Sequence, residues 1–241
     1  IEGVYEAVDA SPEEFPDVVK RLADEGWQGV NVTIPHKTAA AQLADHRTEA
    51  VDAFGASNLL LFRDGKIIAD NTDWQGFQRC LSALPDPAYS KAVVLGAGGA
   101  AAPIVHALLD YHDVVVVNRT AEKAKALASR FGDHVRTAPW EKRSDILAGA
   151  EVLVNTTSLG MAGQPPLDID LEPMRSKSLV VDIVYDPLST PLLKKAREKG
   201  FQTAHGLTML VYQAVPSFRA FTGTEPPDPE IILRKLTEER Q

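Results

Sequence analysis

A single cysteine, Cys80, in a chain of 241 residues excludes an internal disulfide and suits a reducing compartment. No apolar run approaches the roughly 18 residues of a spanning helix, and the chain does not open on a secretion signal. A cytoplasmic protein without a membrane partner is expected. Basic residues are outnumbered by acidic ones, 25 against 33, and form no run, so the net charge of −8 argues against nucleic acid and anionic membrane surfaces. The six histidines lack metal-ligand spacing, and no metal is expected. No nucleophile elbow surrounds Ser158, which leaves hydrolysis without support. Repeats and low-complexity tracts are absent, and Trp27, Trp74 and Trp140 read as packing residues. What is present is a globular composition, 44% hydrophobic, enough for one large domain or two modest ones.

Two textures meet at Leu84-Pro85-Asp86-Pro87-Ala88-Tyr89-Ser90, where two prolines predict a connector. Before it, Ser11-Pro12-Glu13-Glu14 has the order of a helix start with a capping box, and Gly26 supplies a stop. The helix between them is expected to bury Phe15, Val18, Val19 and Leu22. Gly29 to Val32 reads as a strand and Thr38 to Ala44 as a helix. Leu59 to Phe62 and Ile67 to Ala69 flank Asp64-Gly65, a hairpin signal whose two-residue turn would set Asn58 opposite Asn71. After the connector, Val93 to Leu95, Val114 to Val117, Val152 to Val154 and Leu179 to Val184 are continuous β-branched-rich runs, as buried parallel strands require. Helical patterns alternate with them, one behind Thr120 with Ala121, Ala124, Leu127, Ala128 and Phe131 on one side, another behind Thr190-Pro191. That alternation predicts a doubly wound parallel sheet.

Directly after the first of these strands comes Gly96-Ala97-Gly98-Gly99-Ala100-Ala101, a G-x-G-x-x-A turn. Gly96 permits the tight turn, Gly98 lets backbone amides approach a pyrophosphate, and Ala101 allows close helix packing. Alone, such a cluster also fits an ordinary tight turn; its place between strand and helix favours a dinucleotide. At the end of the next strand, where an acidic residue would accept ribose hydroxyls, stands Asn118-Arg119-Thr120. Arg119, with Lys123 one turn on, suits a 2′-phosphate, so NADP is the expected cofactor.

The first region holds a polar set. Lys37 is a candidate proton donor for carbonyl reduction, Asp73 its candidate carboxylate partner, and Asn31, Thr33 and Asn58 can hydrogen-bond hydroxyl groups. Each also has a plainer reading: Asn31 as a strand-end cap, Lys37 as a surface cation, Asn58 as a strand-start amide, Asp73 as a helix cap.

Together these residues resemble the shikimate dehydrogenase family. The matching stretches are Asn31-Val32-Thr33-Ile34-Pro35-His36-Lys37, Gly55-Ala56-Ser57-Asn58, Asn71-Thr72-Asp73-Trp74-Gln75-Gly76, Gly96 to Ala100, Asn118-Arg119-Thr120, Asn155-Thr156-Thr157-Ser158-Leu159-Gly160-Met161 and Gly206-Leu207-Thr208-Met209-Leu210-Val211-Tyr212-Gln213-Ala214. They follow the family order across nearly the whole chain. The resemblance implies reversible NADP-dependent reduction of 3-dehydroshikimate to shikimate, on the route to chorismate and the aromatic amino acids. It implies that Lys37 and Asp73 are catalytic and that Asn31, Thr33, Asn58, Gln213 and Tyr185 contact substrate. It places Gly96, Ala97, Gly98, Gly99, Ala100, Asn118, Arg119, Thr120, Lys123, Asn155, Thr156, Ser158, Gly206 and Met209 around the cofactor.

The expected fold is α/β with two domains. A substrate-binding domain over 1–86, a Rossmann-like NADP-binding domain over 87–205 and a helical segment over 206–241 that packs back on the substrate domain are anticipated. A monomer or a homodimer is compatible with this reading. The chain departs from the family pattern in five places. No Ser-x-Ser-Pro loop precedes Asn31 and the chain opens on Ile1, so the first domain is expected to lack its first strand and helix. Ser57 stands where an aliphatic residue is common and Leu59 where threonine is. Lys123 replaces a frequent arginine and lacks its bidentate fork. Pro103 is expected in the first turn of the phosphate helix, where its missing N–H costs little. Two rival readings are a quinate/shikimate dehydrogenase using NAD, against which Arg119 leans, and a non-catalytic dinucleotide sensor, against which Lys37 and Asp73 lean.

Overall fold

The structure, a computed structural model, describes residues 2–82, 91–109 and 113–240. The connector anticipated at 84–90 lies outside the described residues. Two compact units are formed, Ile1–Thr72 with Ala214–Pro226, and Asp73–Gln213 with Pro227–Gln241.

In the first unit, helix α1 (Phe15–Asp24) follows a turn in which the Ser11 and Glu14 side chains bond each other's backbone N–H at 3.3 and 3.0 Å. This is the anticipated capping box, set one turn ahead of the regular helix. Phe15, Val19 and Leu22 are buried, whereas Val18 is only half-buried. Strand β1 (Gly29–Asn31) leads through the cis peptide Ile34–Pro35 into helix α2 (Lys37–Leu43). Strand β2 (His46–Arg47) and helix α3 (Glu49–Phe54), closed by left-handed Gly55, precede the hairpin of β3 (Leu59–Arg63) and β4 (Lys66–Asp70). Asp64 and Gly65 take φ of 51° and 70°, the two left-handed positions of a type I′ turn. The ladder pairs Leu59 with Asp70 and Arg63 with Lys66, the register that sets Asn58 opposite Asn71. The sheet order is β1-β3-β4-β2, and the core of this unit gathers Phe15, Val19, Val32, Ala40, Val51 and Leu60.

The second unit opens with helix α4 (Asp73–Leu81). Strand β5 (Lys91–Leu95), helix α5 (Ala101–Leu109), strand β6 (Asp113–Asn118) and helix α6 (Ala121–Ala128) follow in the expected alternation. Strands β7 (Val135–Pro139), β8 (Val152–Asn155) and β9 (Leu179–Asp182), helix α7 (Pro191–Glu198) and strand β10 (Gln202–His205) complete the sheet. All six strands are parallel in the order β10-β9-β8-β5-β6-β7, a doubly wound sheet whose order reverses at β5 and β8. The central strands are buried, β5 from Ala92 onward and β8 and β9 throughout, which is why they read as unbroken apolar runs. Helix α6 buries Ala124, Leu127 and Ala128; Ala121, at its exposed first position, does not join them. Helix α8 (Gly206–Thr222) and helix α9 (Pro229–Glu238), capped by Asp228, end the chain.

Candidate functional site

The dinucleotide elements lie within the second unit. Gly96 follows β5 with φ of 110°, and a Cβ there would stand 2.4 Å from Thr156 Oγ1, so only glycine fits. Thr156 itself is held by the Leu95 carbonyl, which accepts from both its N–H and its hydroxyl at 2.8 Å. Gly98 is the opposite case: it is exposed, and among the described residues a Cβ there would meet nothing within 4 Å. That open space over the turn is what a pyrophosphate needs to reach backbone amides. Ala97, Gly99 and Ala100 complete the turn, and Ala101, fully buried, starts α5. The free amides of that first helical turn favour an anion.

At the end of β6, the Asn118 side chain donates to the Thr120 carbonyl at 2.9 Å, which fixes the turn into α6. Arg119 and Lys123 are both exposed, and among the described residues neither pairs with a carboxylate. Two uncommitted cations beside the glycine turn fit a 2′-phosphate. The residues present therefore suit NADP.

The loop after β8 is organised from below. The Asn155 side chain is wholly buried; its Oδ1 accepts from the Thr157 N–H and hydroxyl, and its Nδ2 donates to the Leu159 carbonyl and to Asp182 Oδ1 at 3.0 Å. Asn155 thus shapes the loop after β8 rather than facing solvent, while Ser158 is exposed on it. Asp182 also accepts from the Val184 N–H and, at 2.7 Å, from the Thr190 hydroxyl, which caps α7. Burial pushes the Asp182 carboxyl up to about 6, with the hydrogen bonds from Thr190, Val184 and Asn155 opposing it. Sequence reading assigned Asp182 no role, although a lone carboxylate inside a β-branched run was a visible signal.

Gly206 starts α8 against the exit of β9; a Cβ there would lie 1.9 Å from the Ile183 carbonyl oxygen. His205 precedes it with its Nδ1 buried and unpartnered among the described residues. Burial, then the Arg197 charge, hold its pKa below the ordinary imidazole value. Met209 is buried, and Gln213 donates from Nε2 to the Leu210 carbonyl at 3.0 Å. Tyr185 is 43% exposed, with the Arg240 guanidinium 5.8 Å from its ring centre. Asp73 is buried at the first residue of α4, not as a cap outside it.

In the first unit, Asn31 and Asn58 are joined: Asn31 Nδ2 donates to the Asn58 carbonyl at 3.5 Å, and their partners Ser217 and Thr72 bring their hydroxyls within 3.5 Å of each other. Asn31 Nδ2 donates to the Ser217 hydroxyl at 3.0 Å, and its Oδ1 accepts from Tyr5 at 3.1 Å. Asn58 Nδ2 donates to Thr72 Oγ1 at 3.0 Å while its Oδ1 accepts the Thr72 N–H at 2.8 Å. The backbone adds a further tie, from the Val32 N–H to the Asn58 carbonyl at 2.8 Å. Both amides are therefore oriented before any ligand arrives. Ser217 and Thr72 were missed by sequence reading; Ser217 is 186 residues from Asn31, beyond the reach of local pattern. Lys37 is half-buried at the start of α2, and its carbonyl accepts from Ser57 N–H at 2.8 Å. Thr33 is exposed, and the His36 ring stacks on Phe15 at 4.5 Å. Ser57, buried, places its hydroxyl 2.8 Å from the Leu59 and Asp70 carbonyls, a reason for a polar residue where an aliphatic one was expected.

A cavity of about 880 Å³ lies beside β1, bordered by Phe15, Val19, Leu22, Val30, Phe218 and Phe221. Its largely apolar wall is a poor match to a polyhydroxylated acid, and the polar set above describes the candidate site better.

Three family profiles match the chain: a shikimate dehydrogenase substrate binding domain over residues 1–60, a shikimate / quinate 5-dehydrogenase over 80–184, and a shikimate 5′-dehydrogenase C-terminal domain over 206–236. The shikimate dehydrogenase (NADP(+)) of Methylobacterium radiotolerans is 47% identical over 234 residues, 94% of this chain and 83% of the relative. The crystal structure of shikimate 5-dehydrogenase from Thermus thermophilus with NADP(H) and shikimate superposes with a TM-score of 0.86 at 36% identity, covering 99% of this chain and 88% of that one. Quinate dehydrogenase from Corynebacterium glutamicum in complex with NAD also gives 0.86, at 30% identity over 96% and 85% of the two chains.

Proposed function

Because this chain belongs to the shikimate dehydrogenase family, we propose that it interconverts 3-dehydroshikimate and shikimate with NADP(H) in the cytoplasm. The observation that carries the cofactor half of this reading is the glycine turn at the reversal of strand order, open above Gly98, with exposed Arg119 at the end of the next strand. Backbone amides of Gly96, Ala97, Gly98, Gly99 and Ala100 hold the pyrophosphate. Arg119 and Lys123 hold the 2′-phosphate, and Asn118 and Thr120 fix the turn that carries them. Asn155, Thr156, Ser158, Gly206 and Met209 form the remainder of the cofactor's surroundings.

When bound, NADPH supplies the hydride that adds to the ketone carbon. The oxygen then takes a proton, and Lys37 delivers it, its ammonium becoming a neutral amine as the C–O–H bond forms. Asp73 accepts from a substrate hydroxyl. Asn31, Thr33, Asn58, Gln213 and Tyr185 hold the rest of the acid, and the fixed amides of Asn31 and Asn58 support this part because they need no reorganisation. Oxidation of shikimate is the same path reversed, with Lys37 as base.

The assay is absorbance at the reduced-nicotinamide band on mixing the protein with shikimate and NADP. The band grows with NADP and only weakly with NAD. Lys37→Ala loses turnover by about 10²–10⁴-fold while still binding NADPH. A variant that keeps full turnover removes Lys37 from the chemistry. The similarity to a quinate dehydrogenase favours one second reading, a quinate/shikimate enzyme using NAD. Preference for quinate with NAD over shikimate with NADP would establish it.

A further inference from the structure

Helix α4 carries Asp73, and helix α8 carries Met209 and Gln213. What sets the distance between them is a residue with no side chain. Gly76, buried in the middle of α4, is crossed by α8 so closely that a Cβ there would stand 2.5 Å from the Met209 carbonyl oxygen, 2.8 Å from the Gln213 N and 2.9 Å from the Gln213 Cβ. Two of those three neighbours are backbone atoms, which cannot swing aside as a side-chain tip can. In a helix interior, glycine costs about 1 kcal/mol relative to alanine, so its presence there calls for a reason. The crossing is that reason.

The crossing has a second point of contact and an outer clamp. Cys80, one turn beyond Gly76 on the same face of α4, is buried with its thiol against the Met209 backbone. On the outside, Arg79 of α4 and Tyr212 of α8 both bond Glu230 of α9, Tyr212 at 2.5 Å, and the Arg79 guanidinium lies 5.1 Å from the Tyr212 ring centre. The two helices are thus drawn together at a place where only a glycine leaves room.

We propose that Gly76 is a positioning residue for the reaction: its missing side chain lets α8 seat Met209 and Gln213 at the working distance from Asp73, one turn earlier on α4. This rests on the roles given above to Asp73, Met209 and Gln213. A methyl group at residue 76 must push α8 outward until the 2.5 Å approach becomes an ordinary contact of 3.4 Å or more, a displacement of about 1 Å. A misplacement of that size costs about 100-fold in rate even when it arises away from the reacting atoms.

The test is Gly76→Ala, examined by steady-state kinetics, NADP binding and thiol labelling. Turnover of shikimate by the unaltered protein first secures the activity; without it the functional reading fails, whatever the variant does. Given that activity, Gly76→Ala is expected to lower kcat/KM for shikimate by about 100-fold, with a raised KM and a lowered kcat, while NADP affinity stays within about threefold. A merely structural glycine would lower the melting temperature and leave the constants of the folded enzyme unchanged. The crossing itself is read independently of activity: as the sole cysteine, Cys80 should react faster with a thiol reagent in native Gly76→Ala than in the unaltered protein. Unchanged shikimate constants overturn the proposal, whether or not the thiol becomes reactive. If Gly76→Ala does not fold, Cys80→Val widens the same crossing one turn away, and unchanged shikimate kinetics in that variant overturn it equally.

Discussion

Two glycines of one turn do opposite work. Gly96 is required by the protein itself: its backbone is left-handed and Thr156 occupies the space a Cβ would take. Gly98 is required by nothing among the described residues, since a Cβ there meets open space. Its absence of side chain is useful only to a ligand that must approach the backbone. Gly98→Ala is therefore expected to leave the melting temperature of the ligand-free protein within about 1 °C, an exposed substitution without strain. The same variant should weaken NADP binding by about 10–100-fold, because the methyl group would stand where we propose that the pyrophosphate meets the amides. Calorimetric titration alongside thermal unfolding checks both halves, and equal NADP affinity in the two proteins would place the pyrophosphate elsewhere. Residue identity made the turn visible in the sequence, but not this division of labour, which depends on what faces each Cα. For the same reason, the sequence around Gly76 does not reveal its role.

At the scale of elements, the buried carboxylate of Asp182 ties the end of β9 to the loop after β8 through Asn155 and to the start of α7 through Thr190. Its pKa, raised from 3.8 to about 6 chiefly by burial, means that the folded protein holds the proton more tightly than the unfolded chain does. The contribution to stability is then greatest below about pH 4 and is lost as pH rises to 6, a cost of about 3 kcal/mol above that range. Asp182→Asn keeps the amide oxygen for Asn155 and Val184 and does not ionise. Relative to the unaltered protein it should gain about 3 kcal/mol between pH 4 and pH 7, read from urea unfolding at each pH. A difference that does not change with pH would mean that the carboxyl is solvated. Elements that are buried on both faces, β5, β6, β8 and β9, were legible as apolar runs, and Asp64-Gly65 fixed the hairpin register because turn chemistry is local. Strand β7 escaped detection because Arg136, Thr137 and Pro139 are exposed and, among the described residues, it pairs on one side only. Ser217 escaped because its partners are distant in sequence, and no periodicity encodes such a meeting.

For the molecule as a whole, the residues assigned to the reaction are divided between two units. Lys37, Asn31, Thr33 and Asn58 belong to the first, while the glycine turn, Arg119, Lys123, the Asn155 loop and Gly206 belong to the second. Binding of the dinucleotide should accordingly be a property of the second unit and should survive loss of the proton donor. Any ligand that binds only the folded state stabilises it by RT ln(1 + [L]/Kd), about 2.7 kcal/mol at a hundredfold excess over Kd. In a chain of this length each kcal/mol moves the melting temperature by about 2–4 °C, so saturating NADP should raise it by roughly 5–10 °C. Lys37→Ala should show the same rise, since nothing it removes belongs to the unit that holds the residues proposed for the cofactor. If Lys37→Ala instead abolished the rise, lysine would be acting as a cofactor ligand, and the assignment of its ammonium to the carbonyl oxygen would have to be given up.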